Sequence, residues 1–158
     1  MATVLGLALL AAATVLNGLL AGASFDKALI QLPARRKIGL RAMAEYSRAT
    51  DLGPGFFLYP TLGLGAPLLT WAAAVALYLG RDVSGGTISW AVLGGILSVG
   101  HVITTAGAAP NLLRLRRGIV PEKELGDMYQ RFARWSGARS FLQVSAFVVV
   151  VVAVISVL

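Results

Sequence analysis

Four stretches of the chain stay apolar long enough to cross a bilayer, which takes ~20 residues of helix. They run over about residues 2–32, 54–79, 88–113 and 137–158. Polar interruptions are few. Asn17 lies inside the first stretch, with Asp26 and Lys27 late in it; Pro60 and Pro67 punctuate the second; the third holds His101, Thr104, Thr105 and Asn111; valines fill positions 148–152 of the fourth. A valine run alone would suit a buried strand. Beside three comparable spans, in lipid where the backbone must satisfy itself, it reads as helix. The pattern predicts an all-α protein: an antiparallel four-helix transmembrane bundle forming a single membrane domain over 1–158. The first stretch is not expected to be a cleaved signal peptide, because its start carries no basic side chain and its apolar run is too long.

The segments between the spans are also patterned. Leu125, Met128, Phe132 and Trp135 recur at helical spacing behind Pro121 and Glu122, residues typical of a helix start. Asp127 and Arg131 stand four apart, as a surface ion pair would. The 35–49 region repeats the pattern more weakly. Both loops are therefore expected to hold short amphipathic interfacial helices, the second running into the fourth span.

Composition agrees with a membrane location. Of 158 residues, 57% are apolar and 13% charged, against ~45–50% and ~25% in soluble domains. With no cysteine and one histidine, the chain offers no disulfide, thiolate or His-rich metal chemistry. That histidine could serve as one axial haem ligand, but a second is absent, and no metal or other cofactor is expected. The net charge of +7 would point to nucleic acid in a soluble protein. Its distribution says otherwise. Arg35, Arg36, Lys37, Arg41 and Arg48 follow the first span; Arg114, Arg116, Arg117, Lys123, Arg131 and Arg134 follow the third; the middle connection has only Arg81, beside Asp82. The positive-inside rule then places loops 33–51 and 114–136 in the cytoplasm, on anionic lipid, and both termini outside. No nucleic-acid partner is expected.

That topology gathers the polar residues of the spans towards the basic end. Asp26, Lys27, Gln31, Tyr59, Asn111, Arg139 and Gln143 fall in that half, and Asn17, His101, Thr104 and Thr105 lie nearer mid-depth. Ionisable groups in a span usually face a cavity or one another. Each has a plain structural alternative. His101 can be a packing residue, Asp26 can pair with Lys27, Arg35 or Arg139, Arg139 can anchor a helix end, Asn111 can cap or kink the third span, and the threonines can bond back to their own helix. Gly18, Gly22, Gly94 and Gly95 suit close helix contacts, within the chain or in a homo-oligomer.

Three short motifs add a resemblance. Residues 17–25, Asn-Gly-Leu-Leu-Ala-Gly-Ala-Ser-Phe, lead towards Pro33; residues 103–111 read Ile-Thr-Thr-Ala-Gly-Ala-Ala-Pro-Asn; residues 134–139 read Arg-Trp-Ser-Gly-Ala-Arg. Their layout resembles the anthrone-oxygenase-like family of small membrane proteins, with Ala108 and Ser136 where that family commonly has asparagine. The resemblance implies a bundle around a pocket for a flat, lipophilic aromatic molecule, some relatives being assigned to cofactor-free oxidation of anthrones. Such chemistry needs a base, donors to an enolate oxygen and a dry pocket. On that reading His101 is the base, Arg139 and Asn111 act with Thr105 on the oxyanion, Tyr59 stacks on the ring, and Asn17, Thr104 and Gln143 contact the ligand. The competing class is non-catalytic: a carrier, a lipid- or ligand-binding module, or an accessory subunit.

Overall fold

The structure, a computed structural model, describes residues 2–118 and 120–157, with the side chains of residues 2, 35 and 36 outside that description. Among the described residues there is no strand. Helix α1 (Ala2–Asp26) passes through a π-helical turn (Lys27–Gln31) into α2 (Leu32–Ile38), and α3 (Leu40–Ala49) follows a break at Gly39. Then come α4 (Gly55–Gly80), α5 (Gly85–Leu113), a 3-10 turn (Arg114–Arg117) and α6 (Glu122–Ile155). Four of these helices are long and apolar enough to cross a membrane. The chain is a multi-pass membrane bundle.

The long helices form a closed ring. α1 packs most extensively on α4, and α5 on α6, while α1–α6 and α4–α5 contacts complete the circuit. Bulky apolar side chains such as Leu68, Phe141 and Ile103 face outward, as a lipid-exposed surface allows. Inside, contacts depend on small residues. A Cβ at Gly94 would come within 2.6 Å of a Val150 methyl, one at Gly95 within 2.8 Å of the Trp71 ring, and one at Gly18 within 3.1 Å of Phe147. Three of the four glycines suited to close contacts are thus used within the chain. Gly22 alone meets nothing within 4 Å.

Two expectations about helix ends are corrected. The fourth span does not begin at 137: α6 is one unbroken helix from Glu122, and its 34 residues make ~51 Å, well beyond the ~30 Å apolar core of a bilayer. Its amphipathic first part runs directly into the span, as the pattern predicts. Arg139 is therefore mid-helix and not a helix-end anchor. Likewise α5 continues through Pro110 to Leu113, and Asn111 Nδ2 donates to Gly107 O one turn back, at 3.1 Å, so it caps nothing.

At the basic end, α3 buries Met43 and Ala44 against Leu125, Met128 and Tyr129 of α6 and Leu112 and Leu115 from the end of α5. Tyr129, fully buried, donates its hydroxyl towards Met43 O and Ser47 Oγ at 3.1 and 3.0 Å. Arg48 reaches Leu115 O and Gly118 O, at 3.1 and 3.0 Å, and so satisfies carbonyls beyond α5. Among the described residues the surface pairs are Arg41–Glu122 and Arg114–Glu124, and the pair expected between Asp127 and Arg131 is not among them. The opposite end packs Ala73, Ala74, Leu77, Ala91, Val150 and Ala153 around Leu10.

Candidate intrabundle binding site

Between these two packed ends the ring opens into a cavity of about 420 Å³, within the ~300–1,000 Å³ typical of small-molecule sites. Each long helix contributes the half nearest the basic loops. Leu20, Ala23, Ser24 and Lys27 come from α1 and its π turn, Asp51 and Leu52 from the turn before α4, and Gly55, Phe56, Tyr59, Pro60, Gly63 and Leu64 from α4. His101, Val102, Thr105, Ala106, Ala109, Leu112 and Leu113 come from α5, and Phe132, Arg139 and Gln143 from α6. The wall is mainly apolar, with its polar groups few and individually placed.

His101 is 1% exposed, and its two nitrogens differ. Ser24 donates its hydroxyl to Gln143 Oε1, so the Gln143 amide nitrogen turns to His101 Nδ1, at a long 3.4 Å. An amide N–H there needs a lone pair on Nδ1, which places the ring proton on Nε2. Nε2 has no hydrogen-bond partner. In this arrangement His101 offers the cavity a donor; a half-turn of the Gln143 amide would make Nε2 an acceptor instead. Arg139 Nε is also buried without a partner, and among the described residues Arg139 makes no ion pair.

The end of α1 carries a π turn, which takes one residue more than the α-helix needs and often sits at functional sites. Lys27, where the turn begins, continues the face of Leu20, Ala23 and Ser24 at ordinary helical spacing and lies inside, 6% exposed, where Nζ meets Asp51 Oδ1 and Oδ2 at 2.7 and 2.5 Å. Gln31 Oε1 accepts from the same ammonium at 3.1 Å, and the Tyr46 ring lies 5.7 Å from it. Of the partners expected for Asp26, Lys27 goes to Asp51 instead and Arg139 makes no ion pair among the described residues, while the Arg35 side chain lies outside them; Asp26 accepts from Gln31 Nε2.

The prolines act on the same wall. Lacking an N–H, a proline leaves the carbonyl four residues earlier without its helical donor. Pro60, Pro67 and Pro110 do this to Phe56, Gly63 and Ala106. All three line the cavity.

Five residues anticipated at a site therefore meet here: His101, Arg139, Tyr59, Thr105 and Gln143. Three do not. Asn17 shares a helix face with Ser24 but lies two turns away, where Nδ2 donates to Thr70 Oγ1 and Ala13 O at 3.1 and 2.8 Å and Oδ1 accepts from Ser98 at 3.0 Å. It ties α1, α4 and α5 together beside the cavity. Thr104 is spent on the His101 carbonyl, as is the hydroxyl of the cavity-lining Thr105, both at 2.8 Å, and Asn111 bonds back along α5. Asp51 was missed. Its signal was a lone carboxylate just before Pro54, in a loop otherwise rich in bases.

In comparison with known proteins, no family model matches this chain, and neither does any curated protein or solved structure.

Proposed function

We propose that this protein binds a lipophilic aromatic small molecule inside its bundle, in the half that carries the basic loops. The observation that carries this reading is the partly open, mainly apolar cavity whose lining residues His101 and Arg139 each hold a buried nitrogen without a partner, Nε2 and Nε. Such groups are costly to leave unmade, and a ligand oxygen would satisfy both. The basic loops favour a cytoplasmic placement of that end, with both termini outside.

The test uses purified protein in nanodiscs of neutral phosphatidylcholine, titrated with 1-pyrenebutanol and followed by energy transfer from tryptophan. Saturable binding is expected in the wild type and should be lost in Ala109→Phe, which puts a ring into the cavity. Non-saturable partitioning, or equal binding by Ala109→Phe with its fold retained, would overturn the proposal.

A catalytic reading is favoured by one feature, the Ser24–Gln143–His101 relay. With the Gln143 amide turned, His101 Nε2 would take the C–H proton of a ring ketone such as an anthrone, and the imidazolium so formed and the Arg139 guanidinium would hold the enolate oxygen. The carbanion then reduces dioxygen, so that one anthrone and one O2 give one anthraquinone and one water. His101 serves as the base only with the Gln143 amide turned; as placed, it stabilises the oxyanion. Oxygen uptake with anthrone as substrate tests this, and His101→Gln should lose ~10²–10⁴-fold of the turnover per folded molecule. Equal turnover leaves the protein a binder.

A further inference from the structure

The charges around the cavity do not balance. Lys27, Asp51 and Arg139 are the lining residues that carry full charge. Lys27 and Asp51 cancel as a buried pair at 2.5 Å. Arg139 is left over. Asp26 lies outside the lining, where it keeps its own negative charge and accepts from the neutral amide of Gln31, so the count that follows is that of the lining alone. The cavity wall therefore keeps one positive charge, on a guanidinium whose Nε is buried and unpartnered. An uncompensated charge among apolar walls is strongly unfavourable, and an arginine fork is shaped to take two oxygens of one anion. His101 Nε2–H adds a second donor to the same cavity, and the rest of the space is lined by Leu20, Phe56, Leu64 and Phe132.

We propose that the natural ligand is a monoanion: an apolar or ring-bearing body with a single ionised oxygen head, a carboxylate or phenolate, that completes the charge of Arg139. The inference rests on the binding reading above and adds the charge of the ligand to it. A neutral ligand would leave Arg139 as it is. A dianion would reverse the imbalance without removing it.

The test compares 1-pyrenebutyrate with 1-pyrenebutanol, which share a body and differ in the charge of the head. In neutral nanodiscs the wild type is expected to bind the butyrate at least tenfold more tightly than the butanol. Arg139→Gln should bring the two affinities together by weakening the butyrate at least tenfold more than the butanol, and Arg139→Lys should keep part of the preference. Equal affinities in the wild type would overturn the monoanion and leave the cavity reading standing; binding of neither probe would overturn the cavity reading itself. A preference that survives in Arg139→Gln would also overturn it, since the anion would then be held elsewhere. Should Arg139→Gln fail to fold, the wild-type ratio and Arg139→Lys decide the matter. Repeating the titration with phosphatidylglycerol in the nanodiscs separates two sources of such an anion. Loss of probe binding there assigns the site to a lipid phosphodiester and overturns the carboxylate or phenolate head, and unchanged binding assigns the site to a free acid.

Discussion

The Lys27–Asp51 pair should dominate the stability of the basic half of the bundle, in a way that distinguishes a buried charge pair from ordinary packing. Both side chains are under 10% exposed, and the ammonium contacts both carboxylate oxygens, at 2.7 and 2.5 Å. Removing one partner strands the other charge away from water, which costs about 3–5 kcal/mol, whereas replacing both by apolar residues of similar size is often neutral or better. Lys27→Met and Asp51→Leu are each expected to destabilise by that amount. At ~2–4 °C per kcal/mol for a chain of this size, the melting temperature in detergent should fall by roughly 6–20 °C. The double variant should return close to wild type, leaving a coupling energy of ~3 kcal/mol or more. The Gln31 and Tyr46 contacts of Lys27 are absent from both Lys27→Met and the double variant, so the cycle isolates the pair. Single variants that melt within ~2 °C of wild type, or a double variant as unstable as the sum of the two, would refute the reasoning.

Three further outcomes follow from packing and topology. Gly94→Ala should lower the melting temperature, because overpacking against Val150 costs about 1–3 kcal/mol; Gly22→Ala, whose Cβ meets open space, should raise it through helix propensity worth up to ~1 kcal/mol, and the reverse order would show that the glycine contacts are misassigned. Asn17→Leu should cost about 0.6–2 kcal/mol, the range for hydrogen bonds between membrane helices, with pyrenebutanol affinity unchanged; a large loss of affinity would put Asn17 in the site. Among single-cysteine variants, Lys123→Cys should label only from the cytoplasmic side and Gly85→Cys, at an exposed position, only from outside, as thiol-reagent accessibility in intact cells would show; the opposite pattern would invert the orientation.

Legibility in the sequence followed physical scale. The spans could be read because twenty apolar residues in a row leave lipid as the one compatible solvent, and α4 and α5 begin and end within a few residues of where the pattern placed them. The start of α6 was displaced because its amphipathic beginning looks like a separate element, and nothing in Ser136-Gly137-Ala138 breaks a helix once α3 covers its apolar face. Helical phase brought His101 and Thr105 to one wall and Arg139 and Gln143 to another. Phase does not carry past Lys27, because 100° per residue does not hold through the π turn that begins there, and no local residue type announces that turn. Asp51 was hidden for a related reason: a turn residue has no helical phase, so its depth depends on how α3 docks.

The location of the cavity follows from where the helices are irregular. Regular helices with small residues at their contacts can close up tightly, and the half of this ring away from the basic loops packs through Gly94, Gly95, Ala73 and Ala91. The other half cannot. Pro60 and Pro67 interrupt the hydrogen bonding of α4, Pro110 does so in α5, and the π turn adds a residue to the end of α1. All of these lie at or beside cavity-lining residues. Each departure weakens its own helix, and proteins tend to concentrate such strain at functional sites. What allows it here is the packing on both sides: the alanine-rich cluster beyond the cavity, and the cluster that α3 and α6 build around Tyr129 at the basic end. Without the extra residue of the π turn, every later side chain of that helix would swing by ~100°, and Leu32 would leave the core on which α3 docks. The turn thus sets how α3 and the following Asp51 come back to Lys27, and that pair cancels two of the three charges in the cavity lining, those of Lys27 and Asp51 but not that of Arg139.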